Sequence, residues 1–88
     1  MNIEATIISN LLHNEEYARK VIVFLKDEYF MEASEKVVFS EIQKFWTKYN
    51  DVPSKEALQI AVDEKSDISS TIYEEVEALI KSLGKTDN

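Results

Sequence analysis

His13 is the sole histidine of the chain. An imidazole can bind a metal or carry a proton. Either task needs further ligands or a carboxylate beside it, and only Glu16 lies near in sequence. His13 ends a stretch of helical spacing, where a cation suits the helix dipole, so a structural role is expected. Asp63, Asp67, Ser69 and Glu74 fall at positions 1, 5, 7 and 12 of an EF-hand-like register. Lys65 then puts a cation at position 3, and Ile68 stands where the sharp turn at position 6 needs glycine. The stretch therefore reads as an acidic, solvated surface. Glu74, Glu75 and Glu77 bunch where a helix should start, and the dipole favours acids there. Acid–base catalysis would need an apolar cleft to shift one of their pKa values, and no sequence feature marks one.

Phosphate chemistry is equally poorly provided for. A single glycine cannot make a GxxxxGK[ST] loop. No Ser/His/Asp set with a nucleophile turn is present. Arg19-Lys20 is a basic pair, too small for a patch. The expectation is that these residues hold no catalytic, cofactor-binding or metal site.

Non-catalytic work is then the question, and the totals narrow it. The 88 residues suffice for one domain, with an expected radius of gyration of about 12 Å. Net charge is −7, from 17 acidic and 10 basic residues. Residues 1–50 hold 8 acids and 6 bases, and residues 51–88 hold 9 and 4. Such a surface repels phosphate, so strong direct binding of nucleic acid is not expected. A partner protein with a basic patch is the better match. There is no cysteine, so disulfide and thiolate chemistry do not apply. No long apolar run marks a membrane span, and no basic-then-apolar leader opens the chain. The reading is a soluble protein of the cytoplasm with no membrane partner.

One Gly and one Pro make breakers scarce, which favours helices joined by short turns. The spacing predicts a first helix over residues 2–13, capped by Asn2, with Ile3, Ile7, Ile8 and Leu11 on one face. Asn14 caps a second, whose inward set is Tyr17, Val21, Phe24 and Leu25, with Ile22 at the edge. The run VIVFL could be a strand, but no second strand is available to pair with it. A third helix is expected from Ser34, as its cap, to Tyr49. A turn from Asn50 to Pro53 leads to a fourth, capped by Ser54, with Leu58, Ala61 and Val62 inward. Residues 64–70 read as a loop. Thr71 to Glu74 then fits a capping box for a fifth helix ending at Gly84. The fold class is all-α, a compact bundle of about five short helices.

The aromatics are many for so small a core. Tyr29 and Phe30 are expected to plug the corner between helices two and three. On helix three, Val38, Ile42, Phe45 and Tyr49 form one stripe, and Phe39 and Trp46 widen it to roughly 120°. That width suggests an edge covered from outside. Phe39, Trp46 and Tyr49 are the candidate partner interface, because aromatics are enriched at protein contacts.

The stretch Asp27 to Leu58, DEYFMEASEKVVFSEIQKFWTKYNDVPSKEAL, resembles the N-terminal domain of DnaB-type replicative DNA helicases. The resemblance rests on Asp27-Glu28-Tyr29-Phe30, Lys36, Val38-Phe39, the Asn50–Pro53 turn and Ser54 to Leu58. Leu11, Leu12, Asn14 and Tyr17 extend it towards the N-terminus, and it covers residues 3 to 83. The helix-rich, lysine-bearing style is most similar to the T-even-type phage version. The resemblance implies a collar domain of a hexameric helicase, acting in ring assembly and in docking primase or a loader during DNA replication. Expected partners are other helicase subunits, primase and a loader, in the cytoplasm of the bacterial host. The family's ATPase domain, which would bind ATP and Mg²⁺, and its helical hairpin lie outside these residues. Residues 1–84 are then expected to be the globular head of a longer helicase, with 85–88 a tail or the start of a linker to the hairpin. The parent is expected to be an ATP-dependent helicase, with no catalysis in this part. Two other readings compete: an acidic phage protein that mimics DNA to bind a host enzyme, and the helicase-binding domain of a primase.

Overall fold

The computed structural model describes residues 3–65 and 67–83. Five α-helices carry the chain: α1 Ile3–His13, α2 Glu15–Val21, α3 Ala33–Tyr49, α4 Lys55–Asp63 and α5 Ser70–Leu83. Two 3₁₀ turns, Ile22–Phe24 and Asp27–Tyr29, bridge α2 and α3. No strand occurs among the described residues, so the fold is the all-α bundle that the spacing predicts. The Cα radius of gyration is 12.0 Å.

Caps explain most of the breaks. The Asn14 side chain accepts from the Tyr17 amide at 3.1 Å, and Ser54 Oγ from the Ala57 amide at 3.1 Å, both as expected. Two other starts differ from the expected ones. Ser69, not Thr71, caps α5: its Oγ accepts from the Ile72 amide at 3.2 Å, and its carbonyl from the Tyr73 amide at 2.9 Å. Glu32 occupies the N-cap of α3 in extended backbone without a side-chain bond, and Ser34 is buried inside the first turn. Asn2 and Gly84, expected as terminal caps, lie outside the described residues, as does the boundary expected at 84–88.

α3 is the central element and packs against α1, α4 and α5. The core is built from Ile8 and Leu11 of α1, Ala18 of α2, Val38, Phe39 and Ile42 of α3, Leu58 and Val62 of α4, and Val76, Ile80 and Leu83 of α5. Ala61 is half-buried at the margin of its helix. Ile22 and Phe30, from the α2–α3 connection, complete this set.

That connection corrects two expectations. Ile22 belongs to the core and not to its edge, while Phe24 points outward at 72% exposure. After Val21 the helix tightens to three residues per turn, which stacks Leu25 over Ile22 and swings Val23 and Phe24 outside. Phe30 alone plugs the corner. Its ring stacks on Phe39 at 4.9 Å between centroids, whereas Tyr29 and Met31 stay exposed.

Candidate functional site

The last two turns of α3 carry the aromatic and cationic groups that face outward. Phe45 and Tyr49, one turn apart, bring their ring centroids to 4.5 Å. The Lys48 ammonium lies 5.4 Å from the Tyr49 ring centre, within cation–π range. Tyr49 is 57% exposed, and Trp46 is half-buried against the core. Beside them a depression of about 310 Å³ lies over Gln43, Lys44, Thr47 and Lys48.

The turn that follows fixes this end. Asn50 is left-handed, with φ 59°, and its amide donates to the Trp46 carbonyl at 2.7 Å. That closes the helix in the way an αL residue does, with asparagine in place of glycine. The Asp51 carboxylate accepts from the Val52 amide at 2.8 Å, and Pro53 is buried. The chain is therefore turned within a few residues into α4, and Lys55 opens that helix.

A polar cluster joins the end of α4 to the start of α5. The Tyr73 hydroxyl donates to Asp63 Oδ1, and Gln59 Nε2 donates to the same oxygen at 3.0 Å. The Tyr73 bond, and after it the Gln59 bond, holds the Asp63 carboxyl below its ordinary value. The same bond is the main cause that raises the Tyr73 phenol, with burial next. A depressed carboxyl stabilises the fold fully above its ordinary pKa, and the effect is lost as pH falls through the depressed one. Tyr73→Phe is therefore expected to move Asp63 up towards 3.8 and to weaken the pH dependence of stability below about 4. Carboxyl NMR titration of the two proteins reads this directly, and identical Asp63 titrations would refute it.

Lys65 reaches back from the end of α4 to Glu41 of α3, at 3.0 Å, and Lys44 approaches the same carboxylate at 3.4 Å. Glu41 is thus neutralised from two sides.

His13 has the structural place expected of it. Its Nε2 lies 2.5 Å from the Leu83 carbonyl. A carbonyl only accepts, so Nε2 carries the proton. The bond ties the end of α1 to the last turn of α5, across 70 residues of chain. His13→Ala is expected to cost about 1 kcal/mol, the usual net value of one hydrogen bond. Amide exchange should speed up selectively in the last turn of α5. Unchanged protection there would show that the bond does not hold the turn.

Among the described residues, no group of three or more His, Asp or Glu is placed to hold a metal. Asp63 is engaged by Tyr73 and Gln59, and Ser69 by its capping bond, so the calcium register is not assembled. Of the three candidate interface residues, Phe39 is fully buried and stacked on Phe30, so it offers no surface to a partner. Trp46 is half-buried and Tyr49 exposed, on neighbouring turns. The exposed Val23, Phe24 and Met31 were not among the candidates. The unbroken VIVFL run is the signal that more apolar groups lie there than one face can bury.

A family model described as the DnaB-like helicase N terminal domain matches residues 1–86. The chain belongs to that family. A DnaB-like replicative helicase of Enterobacteria phage T4 is 35% identical over 77 residues. The match covers 88% of this chain and 16% of that helicase. This DnaB-like domain therefore spans about a sixth of the length of the relative it matches. The resemblance to the T-even-type phage version holds. None of the described helices is long and apolar enough to cross a membrane.

Proposed function

We propose that this domain is the N-terminal collar of a hexameric replicative DNA helicase. It acts in ring assembly and offers a docking surface to primase or a loader during DNA replication. The observation that carries this reading is the family match over residues 1–86. The chemistry supports it. An acidic domain with a net charge of −7 is poorly suited to grip DNA directly. The half-buried Trp46 and the exposed Tyr49 are the residues for a partner, since aromatics are enriched at protein contacts. ATP and Mg²⁺ belong to an ATPase domain beyond these residues, and the working place is the cytoplasm of a bacterial host.

Light scattering on a helicase chain carrying this domain, with and without primase, tests the reading. A ring is expected that binds primase, and removing the domain should weaken both assembly and primase binding. A ring of unchanged mass that binds primase equally well without the domain would overturn it.

A further inference from the structure

Among the described residues, seven large apolar side chains stand exposed, and four of them lie within the single stretch 23–31: Val23, Phe24, Tyr29 and Met31. Exposed apolar groups scattered singly need no explanation, but gathered ones mark a contact. The backbone gathers these. The Leu25 amide donates to the Ile22 carbonyl at 3.3 Å, and the Tyr29 amide to the Lys26 carbonyl at 3.0 Å. Two tight turns thus fold residues 22–29 into one corner. Its base is fixed, because Ile22 and Phe30 are buried in the core. Val23 follows the first of these anchors, and Tyr29 and Met31 flank the second. The corner is therefore in place before any partner arrives, and little ordering cost remains for binding. Val23 is 71% exposed and Met31 82%, so the core itself has no use for them.

The surroundings of this corner are acidic. Residues 26–32 hold Asp27, Glu28 and Glu32 against Lys26, a charge of −2. The wider window 15–36, with six acids and four bases, gives the same −2. Glu28 and Glu32 are exposed and form no ion pair among the described residues. A second copy would bring the same acids to face these, so the corner is badly suited to meet its own kind. No strand occurs among the described residues, so an extended segment finds no edge to pair with. A helix, by contrast, brings apolar side chains along one face.

We propose that the α2–α3 corner docks an amphipathic helix of another protein. Its apolar side chains would cover Phe24 and Met31, and its lysines or arginines would stand beside Glu28 and Glu32. The corner lies at the start of α3, about 24 Å along that helix from Tyr49, from 17 residues at 1.5 Å per residue. It is thus separate from the Trp46–Tyr49 surface and goes beyond the collar reading.

The probe is a synthetic helical peptide with leucines on one face and lysines on the other. It is titrated into the isotopically labelled 88-residue chain at physiological salt and followed by NMR. Amide shifts are expected to saturate and to concentrate on residues 22–32. F24S/M31S should weaken binding roughly tenfold, as the loss of two anchors does. E28K should weaken it roughly fivefold, because a like charge then faces the lysines. All three positions are exposed, so circular dichroism should show each variant melting as the wild type does. The same peptide with glutamates in place of lysines should not bind. Shifts centred on Glu74 and Glu75, unchanged binding by F24S/M31S, or equal binding of the two peptides would each overturn the proposal. So would self-association of the wild type, seen by sedimentation and lost in F24S/M31S, which would give the corner to a second copy. In a helicase carrying this domain, F24S/M31S should leave ring assembly and primase binding intact. Loss of either would assign the corner to the collar contacts and sink a separate site. Failure of the collar reading would leave the peptide result standing.

Discussion

Phe39→Ala is expected to destabilise the domain by about 3–5 kcal/mol, the usual cost of removing a phenyl ring from a core. A domain of this size sits near the lower end of the 5–15 kcal/mol range of protein stabilities, so about half of its stability would go. The ring is fully buried on the central helix and stacks on Phe30, which closes the α2–α3 corner. Its loss therefore opens a cavity and also removes the partner that holds the corner down. Urea unfolding should show a large fall in midpoint. Residues 25–31 should exchange their amides faster than the loss of global stability alone explains. A midpoint within experimental error of the wild type would show that the corner repacks around the missing ring.

Trp46→Ala is the second large effect, and its two readouts separate. Trp46 packs against the core but is only half-buried, so the expected loss is about 2 kcal/mol, below the 3–5 kcal/mol of a fully buried ring. It also stands one turn before Asn50 and accepts, through its carbonyl, the bond that ends α3. That bond uses backbone atoms and survives the substitution. The altered protein should melt earlier and lose affinity for other subunits or primase as well. Earlier melting with unchanged assembly and primase binding would confine Trp46 to folding, and unchanged melting with weaker binding would confine it to the interface.

The helices were legible because their causes are local. Breakers are few, apolar positions recur with helical spacing, and Asn14 and Ser54 each precede a helix with an oxygen able to take an orphan amide. The misplacements have a common cause: local signals that compete, decided by tertiary contacts. Ser69, Ser70 and Thr71 can all cap a helix, and the choice of Ser69 comes with the burial of Val76, Ile80 and Leu83. Ser34 is a good cap by type, yet Phe30 must reach Phe39, and the chain enters the helix two residues earlier at Glu32. Phe39 and Tyr49 belong to one broad stripe in sequence. Only the position of Phe30 shows that Phe39 is covered from within. Aromatic excess pointed to Trp46 and Tyr49, and the structure leaves the first half-buried and the second exposed.

The corner after α2 bears on how the protein behaves in storage. Val21 to Leu25 is an uncharged run of large apolar residues, the kind of segment that stacks between chains as cross-β once it is extended. In the fold it is wound into the end of a seven-residue helix and one 3₁₀ turn, anchored chiefly by Ile22. Short elements of this kind can open locally at lower cost than global unfolding. Protection then falls to the charges on either side, Arg19-Lys20 before the run and Lys26-Asp27-Glu28 after it. They act as gatekeepers, making it costly for opened segments of two molecules to align. The same flanking charges that sit outside the core are therefore the ones that would oppose stacking of this run between molecules.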